Sequence, residues 1–232
     1  MTRESLAGGL LTPWGEELDP DHPLPEYPRP QMVRSSALNL NGRWQYAITA
    51  SEDDPEDFDG TIVVPYSPET LLSGVSRLVT PDEVLHYRRT LVLPPGFLPA
   101  PDARVLLNFG AVDQWCRVAV NGAVVGEHLG GYLPFTFDVT DELRDGENEL
   151  RVVVRDPSDT GHLSRGKQRL ARGGIWYTPQ SGIWQTVWME AVLRRWIQRL
   201  EIAPDLGPDP GAEDSKSCLN TSGGGGGGSG VN

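Results

Sequence analysis

The feature that most constrains this chain is a relay of strand-length stretches divided by turn signals, with no amphipathic helix among them. Arg43–Thr49 alternates, Thr61–Val64 is a short apolar run, and Leu85–Leu93 is stopped by Pro94-Pro95. Arg104–Phe109 and Trp115–Val120 follow. Asn121-Gly122, the strongest short-range hairpin signal, then leads into Ala123–Glu127. Pro134–Val139 alternates with Phe135 and Phe137 on one face, and Asp145-Gly146 marks a turn before Glu147–Arg155. After a long loop come an aromatic strand starting at Ile183 and a last strand, Trp196–Ile202. About ten strands of this kind predict an all-β fold, an antiparallel jelly-roll β-sandwich rather than a barrel. Thr140–Leu143 is compatible with a short helical turn.

The ends have a different character. Residues 1–37 hold six prolines between Pro13 and Pro30, which forbids a helix and suggests an extended arm lying on the body. Residues 38–204 are the expected sandwich. Residues 205–232 are rich in Gly, Ser, Pro and acids and include six consecutive glycines, the composition of a disordered tail or linker.

The 232 residues are enough to bury a sizeable core in one domain. A net charge of −12 argues against nucleic acid and against anionic membrane surfaces, because phosphate binding needs a positive footprint. No apolar run approaches the roughly 20 residues of a spanning helix, and the first residues turn acidic without a signal-peptide core, so a cytoplasmic location is expected. Of the two cysteines, Cys116 lies in an apolar strand pattern and Cys218 in the polar tail, which argues against a disulfide. The four histidines are scattered, so no metal site is expected. No cofactor is expected either: no Gly-rich phosphate loop opens a helix, and no nucleophile elbow is present.

Two regions have the composition of a site. The run Gly173–Glu190, GGIWYTPQSGIWQTVWME, concentrates Trp176, Trp184 and Trp188 beside Tyr177 and a Pro179–Gly182 turn. From Ile183, Gln185, Val187 and Met189 share one face, while Trp184, Thr186, Trp188 and Glu190 share the other. Such aromatics either stack on a sugar or simply fill the core. The preceding loop, Asp156–Arg172, is long for a sandwich connection and mixes donors and acceptors, among them Asp159, Arg165, Lys167 and Gln168. That mixture suits sugar hydroxyls or a neighbouring domain, and equally a solvated basic loop offsetting an acidic body. The corner His128–Phe135 carries Gly130-Gly131 and Tyr132 and reads chiefly as a tight turn. Asn148-Glu149 superficially resembles a glycosidase acid/base pairing, but its setting reads as solvent-facing residues where a turn enters a strand.

Six segments, in order, resemble the N-terminal sugar-binding domain of glycoside hydrolase family 2, the family of β-galactosidases and β-glucuronidases. They are Tyr27–Ile48, His86–Pro94, Arg104–Gly122, Gly126–Thr140, Glu147–Thr160 and Gly173–Glu190. The resemblance implies a jelly-roll sandwich that complete members follow with an immunoglobulin-like domain and a catalytic (β/α)8 barrel. The family's two catalytic glutamates lie in that barrel, so no catalytic residue is expected in this chain, which reads as a fragment inactive alone. The implied partners are a β-glycoside and the two downstream domains, with a free-standing carbohydrate-binding module or an interface scaffold as alternatives. Several members carry a sugar-contacting aspartate shortly before the Ser-Gly-Ile turn, where this chain has Trp176. The expected substrate-binding residues are Asp159, Arg165, Lys167, Gln168, Trp176 and Tyr177.

Overall fold

A computed structural model describes residues 11–29 and 32–204. Twelve β elements follow one another: β1 (Ala37–Asn39), β2 (Gly42–Thr49), β3 (Gly60–Val64), β4 (Val84–Val92), β5 (Arg104–Phe109), β6 (Val112–Asp113), β7 (Trp115–Val120), β8 (Ala123–Leu129), β9 (Phe135–Asp138), β10 (Glu147–Arg155), β11 (Gly182–Ile183) and β12 (Val187–Val192). They form a four-stranded sheet ordered β1-β12-β5-β9, a six-stranded sheet ordered β3-β2-β4-β10-β7-β8, and a short β11-β6 pair. All the ladder pairings are antiparallel, as the alternating sequence requires of sheets with one face on a core.

The core lies between the two large sheets. Leu107, Phe109, Val187 and Met189 come from one, and Trp44, Leu85, Tyr87, Val118, Leu150 and Val152 from the other. Trp44 meets Tyr87 edge-on with centroids 6.2 Å apart and donates its Nε1–H to the Leu40 carbonyl at 2.8 Å. That bond removes the cost of burying an indole N–H. At Asn121-Gly122 both residues have positive φ, 52° and 85°, as a two-residue hairpin turn between β7 and β8 demands.

Four sequence expectations need correction. The arm contains one helical turn, α1 (Pro13–Glu16), because Pro13 occupies the first helical position, where proline loses no hydrogen bond, and Thr12 Oγ1 accepts from Gly15 N. The aromatic strand is broken: β11 pairs with β6, and the chain steps across Trp184-Gln185-Thr186 before β12 pairs with β5. Gly110 sits opposite that step, its N–H donating to the Thr186 carbonyl at 2.9 Å, and a side chain there would meet Gln185 Cβ at 2.7 Å. Residues 196–202 form no strand. Their backbone finds no ladder beyond β1, and the Ile197 carbonyl accepts instead from Arg34 Nη2 at 2.8 Å. Asn148 is buried rather than solvent-facing. Its Oδ1 accepts from Arg144 N (2.9 Å) and Asn121 Nδ2 (2.8 Å), and its Nδ2 donates to the Arg144 and Gly146 carbonyls, so it ties two turns together.

The arm explains why both faces of β12 are buried. Ile183, Val187 and Met189 face the core as alternation predicts. On the opposite face, Arg29 lies over the Trp188 ring at 5.2 Å. Glu190 accepts there from Tyr27 Oη, Arg29 Nη1 (2.9 Å) and Arg34 Nε (2.9 Å). Among the described residues no helix is long and apolar enough to cross a membrane. Cys116 is a buried free thiol, pushed up to about 12 by desolvation, while Cys218 and the tail 205–232 lie outside the described residues.

Candidate functional site

The site is built at the base of the long connection between β10 and β11. Three side chains grip Ser181-Gly182-Ile183, where that connection re-enters the fold. Glu69 Oε2 accepts from Ser181 N at 3.1 Å, Ser181 Oγ donates to Asp156 Oδ2 at 2.8 Å, and Ile183 N donates to Tyr87 Oη at 3.2 Å. Asp156 closes the other end of the loop by accepting from Ser158 N at 2.7 Å, and Glu69 Oε1 also accepts from Val79 N at 3.3 Å. The loop therefore leaves and returns through one hydrogen-bonded node.

Burial makes that node acidic in composition but reluctant to ionise. Desolvation pushes Glu69 up to about 7 against its backbone hydrogen bonds. Asp113, beneath the 128–134 corner, is pushed up to about 7, first by desolvation and then by the charge of Asp156. Asp156 is itself raised by desolvation. A side chain at position 131 would collide with the Asp113 carboxyl, whose Oδ1 has no hydrogen-bond partner. A carboxyl raised in the folded state binds more protons there than in the unfolded chain, so these groups make stability fall as pH rises from about 4 to about 7. The expected outcome is a lower melting temperature at pH 8 than at pH 5.5, with the difference reduced in Glu69→Gln. A thermal scan in which the two pH values melt together, or in which Glu69→Gln leaves the slope intact, overturns this account.

Above the node the loop folds back on itself. Tyr177 N donates to the Lys167 carbonyl (2.8 Å) and Arg169 N to the Tyr177 carbonyl (3.0 Å), while Gly173 and Trp176 exchange backbone bonds across a tight turn. Gln168 turns inward, its Oε1 accepting from Gln180 N at 2.6 Å. Arg169 lies 3.8 Å over the Trp176 ring, and Arg172 Nη1 donates to Thr178 Oγ1 at 3.1 Å. The 128–134 corner forms the adjoining wall. Trp184 Nε1 donates to the Gly131 carbonyl at 2.8 Å, Tyr132 meets Trp184 edge-on, and Gln114 Nε2 ties the Ser164 carbonyl at 3.0 Å.

Lys167, Gln168, Trp176 and Tyr177 thus share one small folded unit. Arg165 adjoins it, its carbonyl accepting from Gln168 N while its guanidinium reaches the Gly161 carbonyl at 3.3 Å. No described hydrogen bond joins the half-exposed Asp159 to the group. Tyr177 presents an open ring, whereas one face of Trp176 is taken by Arg169. Residue patterning passes over Glu69, Asp113 and Ser181. Glu69 lies in the connection after β3, Asp113 ends the two-residue β6 and Ser181 closes the long loop, positions too short or irregular to show a period, and only the fold brings them together.

A groove of about 670 Å³ lies elsewhere, on the outer face of the six-stranded sheet between Glu52, Asp54, Arg117, Arg144, Glu149 and Arg151. Its carboxylates are already neutralised: Glu52 pairs with Arg117 and Arg155, and Asp54 and Glu149 pair with Arg151. Among the described residues no group of three or more His, Cys, Asp or Glu is arranged to hold a metal ion.

Comparison with known proteins bears on this architecture. The family model described as "Glycosyl hydrolases family 2, sugar binding domain" matches residues 64–189. A β-galactosidase of Thermoanaerobacter pseudethanolicus is 33% identical over 190 residues, 77% of this chain and 24% of its own length. A β-glucuronidase of Rattus norvegicus is 40% identical over 69 residues, 29% of this chain and 11% of its own. The chain therefore spans about a quarter or less of these curated relatives. Among solved structures, a β-glucuronidase of an uncultured Clostridium species superposes with a TM-score of 0.58 at 24% identity, covering 76% of this chain and 33% of that one.

Proposed function

Given that the chain belongs to glycosyl hydrolase family 2, as its sugar-binding domain, we propose that it holds a glycoside at the 156–181 loop while another domain of the enzyme cleaves the bond. The observation that carries this reading is the convergence of Lys167, Gln168, Trp176 and Tyr177 on one loop clamped at both ends by Glu69, Asp156 and Tyr87. Clamping fixes donors and an aromatic face in advance, which lowers the ordering cost of binding a weakly held sugar.

The carboxylates support a non-catalytic role. Glycoside cleavage needs two of them facing the scissile bond, one protonated near neutral pH. Here the two carboxyls pushed to about 7, Glu69 and Asp113, are sealed under the loops, and those lining the open groove are held by arginines. Exposed Leu133, Ile175 and Tyr177 at the same end suit packing against a further domain. The immunoglobulin-like domain and catalytic barrel implied by the family resemblance are the partners this reading assigns.

An assay of the purified chain with aryl-β-galactosides and aryl-β-glucuronides is expected to show no hydrolysis above buffer. Turnover that follows the chain through purification would overturn the non-catalytic role, and calorimetric titration with millimolar glycosides tests binding itself.

A further inference from the structure

Resting on that sugar-binding reading, we propose that the 165–178 segment is a subsite for an anionic substituent of the bound glycan, a carboxylate or a sulfate ester. The segment is a cationic exception on a chain of net charge −12. Arg165, Lys167, Arg169 and Arg172 make no ion pair among the described residues, whereas nine arginines elsewhere do. The nearby acids do not neutralise them. Asp156 is committed to Ser181 and Ser158, and no described hydrogen bond engages the Asp159 side chain. Unpaired cations gathered on one loop of an acidic protein form a local positive field that attracts anions.

Their placement turns the field into a site. Arg169 lies on the Trp176 ring, and Arg172 reaches Thr178, two residues further along the same extended run. Lys167 and Arg169 flank Tyr177 through their backbones, the Lys167 carbonyl accepting from Tyr177 N and Arg169 N donating to the Tyr177 carbonyl, while Gln168 between them turns inward to Gln180. Lys167, Arg169 and Arg172 thus belong to one small folded unit, with Arg169 on the indole and Arg172 tied to Thr178. Stacking holds the guanidinium plane of Arg169 and leaves its N–H edge free, and that planar fork matches a carboxylate or sulfate bidentately. The neighbouring aromatic surface suits the apolar face of a sugar ring. A neutral sugar has no use for three unpaired cations on one loop.

The test is calorimetric titration of the chain at low salt with methyl β-D-glucuronide, a sulfated methyl β-D-galactoside and neutral methyl β-D-glucoside. At least one charged glycoside is expected to bind about tenfold more tightly than the neutral one, with the margin shrinking as salt is raised. Preference for the glucuronide alone identifies a carboxylate as the ligand group, and preference for the sulfated sugar alone a sulfate ester. Arg169→Gln and Arg172→Gln are expected to abolish the margin, and Arg169→Lys to lose most of it, because the charge remains but the fork does not. Lys167→Gln, a side chain in no described hydrogen bond, lowers the margin without touching the loop's scaffold and so covers misfolding of the arginine variants. Equal affinity for charged and neutral glycosides overturns the subsite and leaves sugar binding standing. Failure of all three to bind overturns the sugar-binding reading together with the subsite.

Discussion

Replacing Glu190 by alanine is expected to cost the fold about 3–5 kcal/mol, the penalty of breaking a buried ion pair from one side, and to release the N-terminal arm. The carboxylate is fully buried on the outer face of β12. Arg29 and Arg34 both point at it, and Tyr27 donates its hydroxyl to it. Removing it strands two half-buried guanidinium groups whose remaining partners are the Asn108 and Ile197 oxygens. It also uncovers Trp188, over which Arg29 lies. Urea unfolding should show the lower midpoint, and limited proteolysis should cut residues 11–29 before the body. Glu190→Gln keeps the volume and an acceptor oxygen, so its loss should be smaller. An unchanged midpoint with an equally resistant arm in Glu190→Ala would sink the clasp.

Gly182→Ala is the second large effect, expected at about 2–5 kcal/mol from left-handed strain and overpacking together. Gly182 has a φ of 77°, and a Cβ there would collide with Tyr87 Oη and stand 2.8 Å from Leu85 Cδ2. Neither neighbour can yield, since Tyr87 and Leu85 are both core side chains. The collision involves the hydroxyl, so Tyr87→Phe should be less damaging in the Gly182→Ala background than in the parent, although alone it deprives Ile183 N of its acceptor. Unfolding of the parent, both single variants and the double variant measures that coupling. Strictly additive losses would show that the close approach to Tyr87 is not what forbids a side chain at 182.

These two residues also show how far a one-dimensional reading reaches. Gly182 and Glu190 both lie in the Trp-rich run, and the alternation from Ile183 correctly sends Ile183, Val187 and Met189 to the core. The same alternation says nothing about what covers Trp188 and Glu190. The covering groups, Tyr27 and Arg29, are some 160 residues away in the chain. Within the loop, Lys167, Gln168, Trp176 and Tyr177 stand out as candidates by residue type, because cations, amides and aromatics at that density suit polar ligands. Their mutual placement does not, since it rests on the bridge between Gln168 and Tyr177 and on Arg169 stacking over Trp176. Asn148 misled for a related reason. Its turn setting suggests exposure, and only the neighbouring Asn121 turn makes it an interior link.

Taken alone, the amino-acid order determined the sandwich, the strand limits within a residue or two for most elements, the hairpin at Asn121-Gly122 and the family resemblance. Periodicity and turn chemistry are local, so they are written in adjacent residues. Tertiary structure decided the rest. Sheet order, the break between β11 and β12, the arm's clasp on Glu190 and the node of Glu69, Asp156, Ser181 and Tyr87 all depend on pairings between distant segments. Such pairings are settled by which buried polar groups find partners once the core closes, and no local pattern records that outcome.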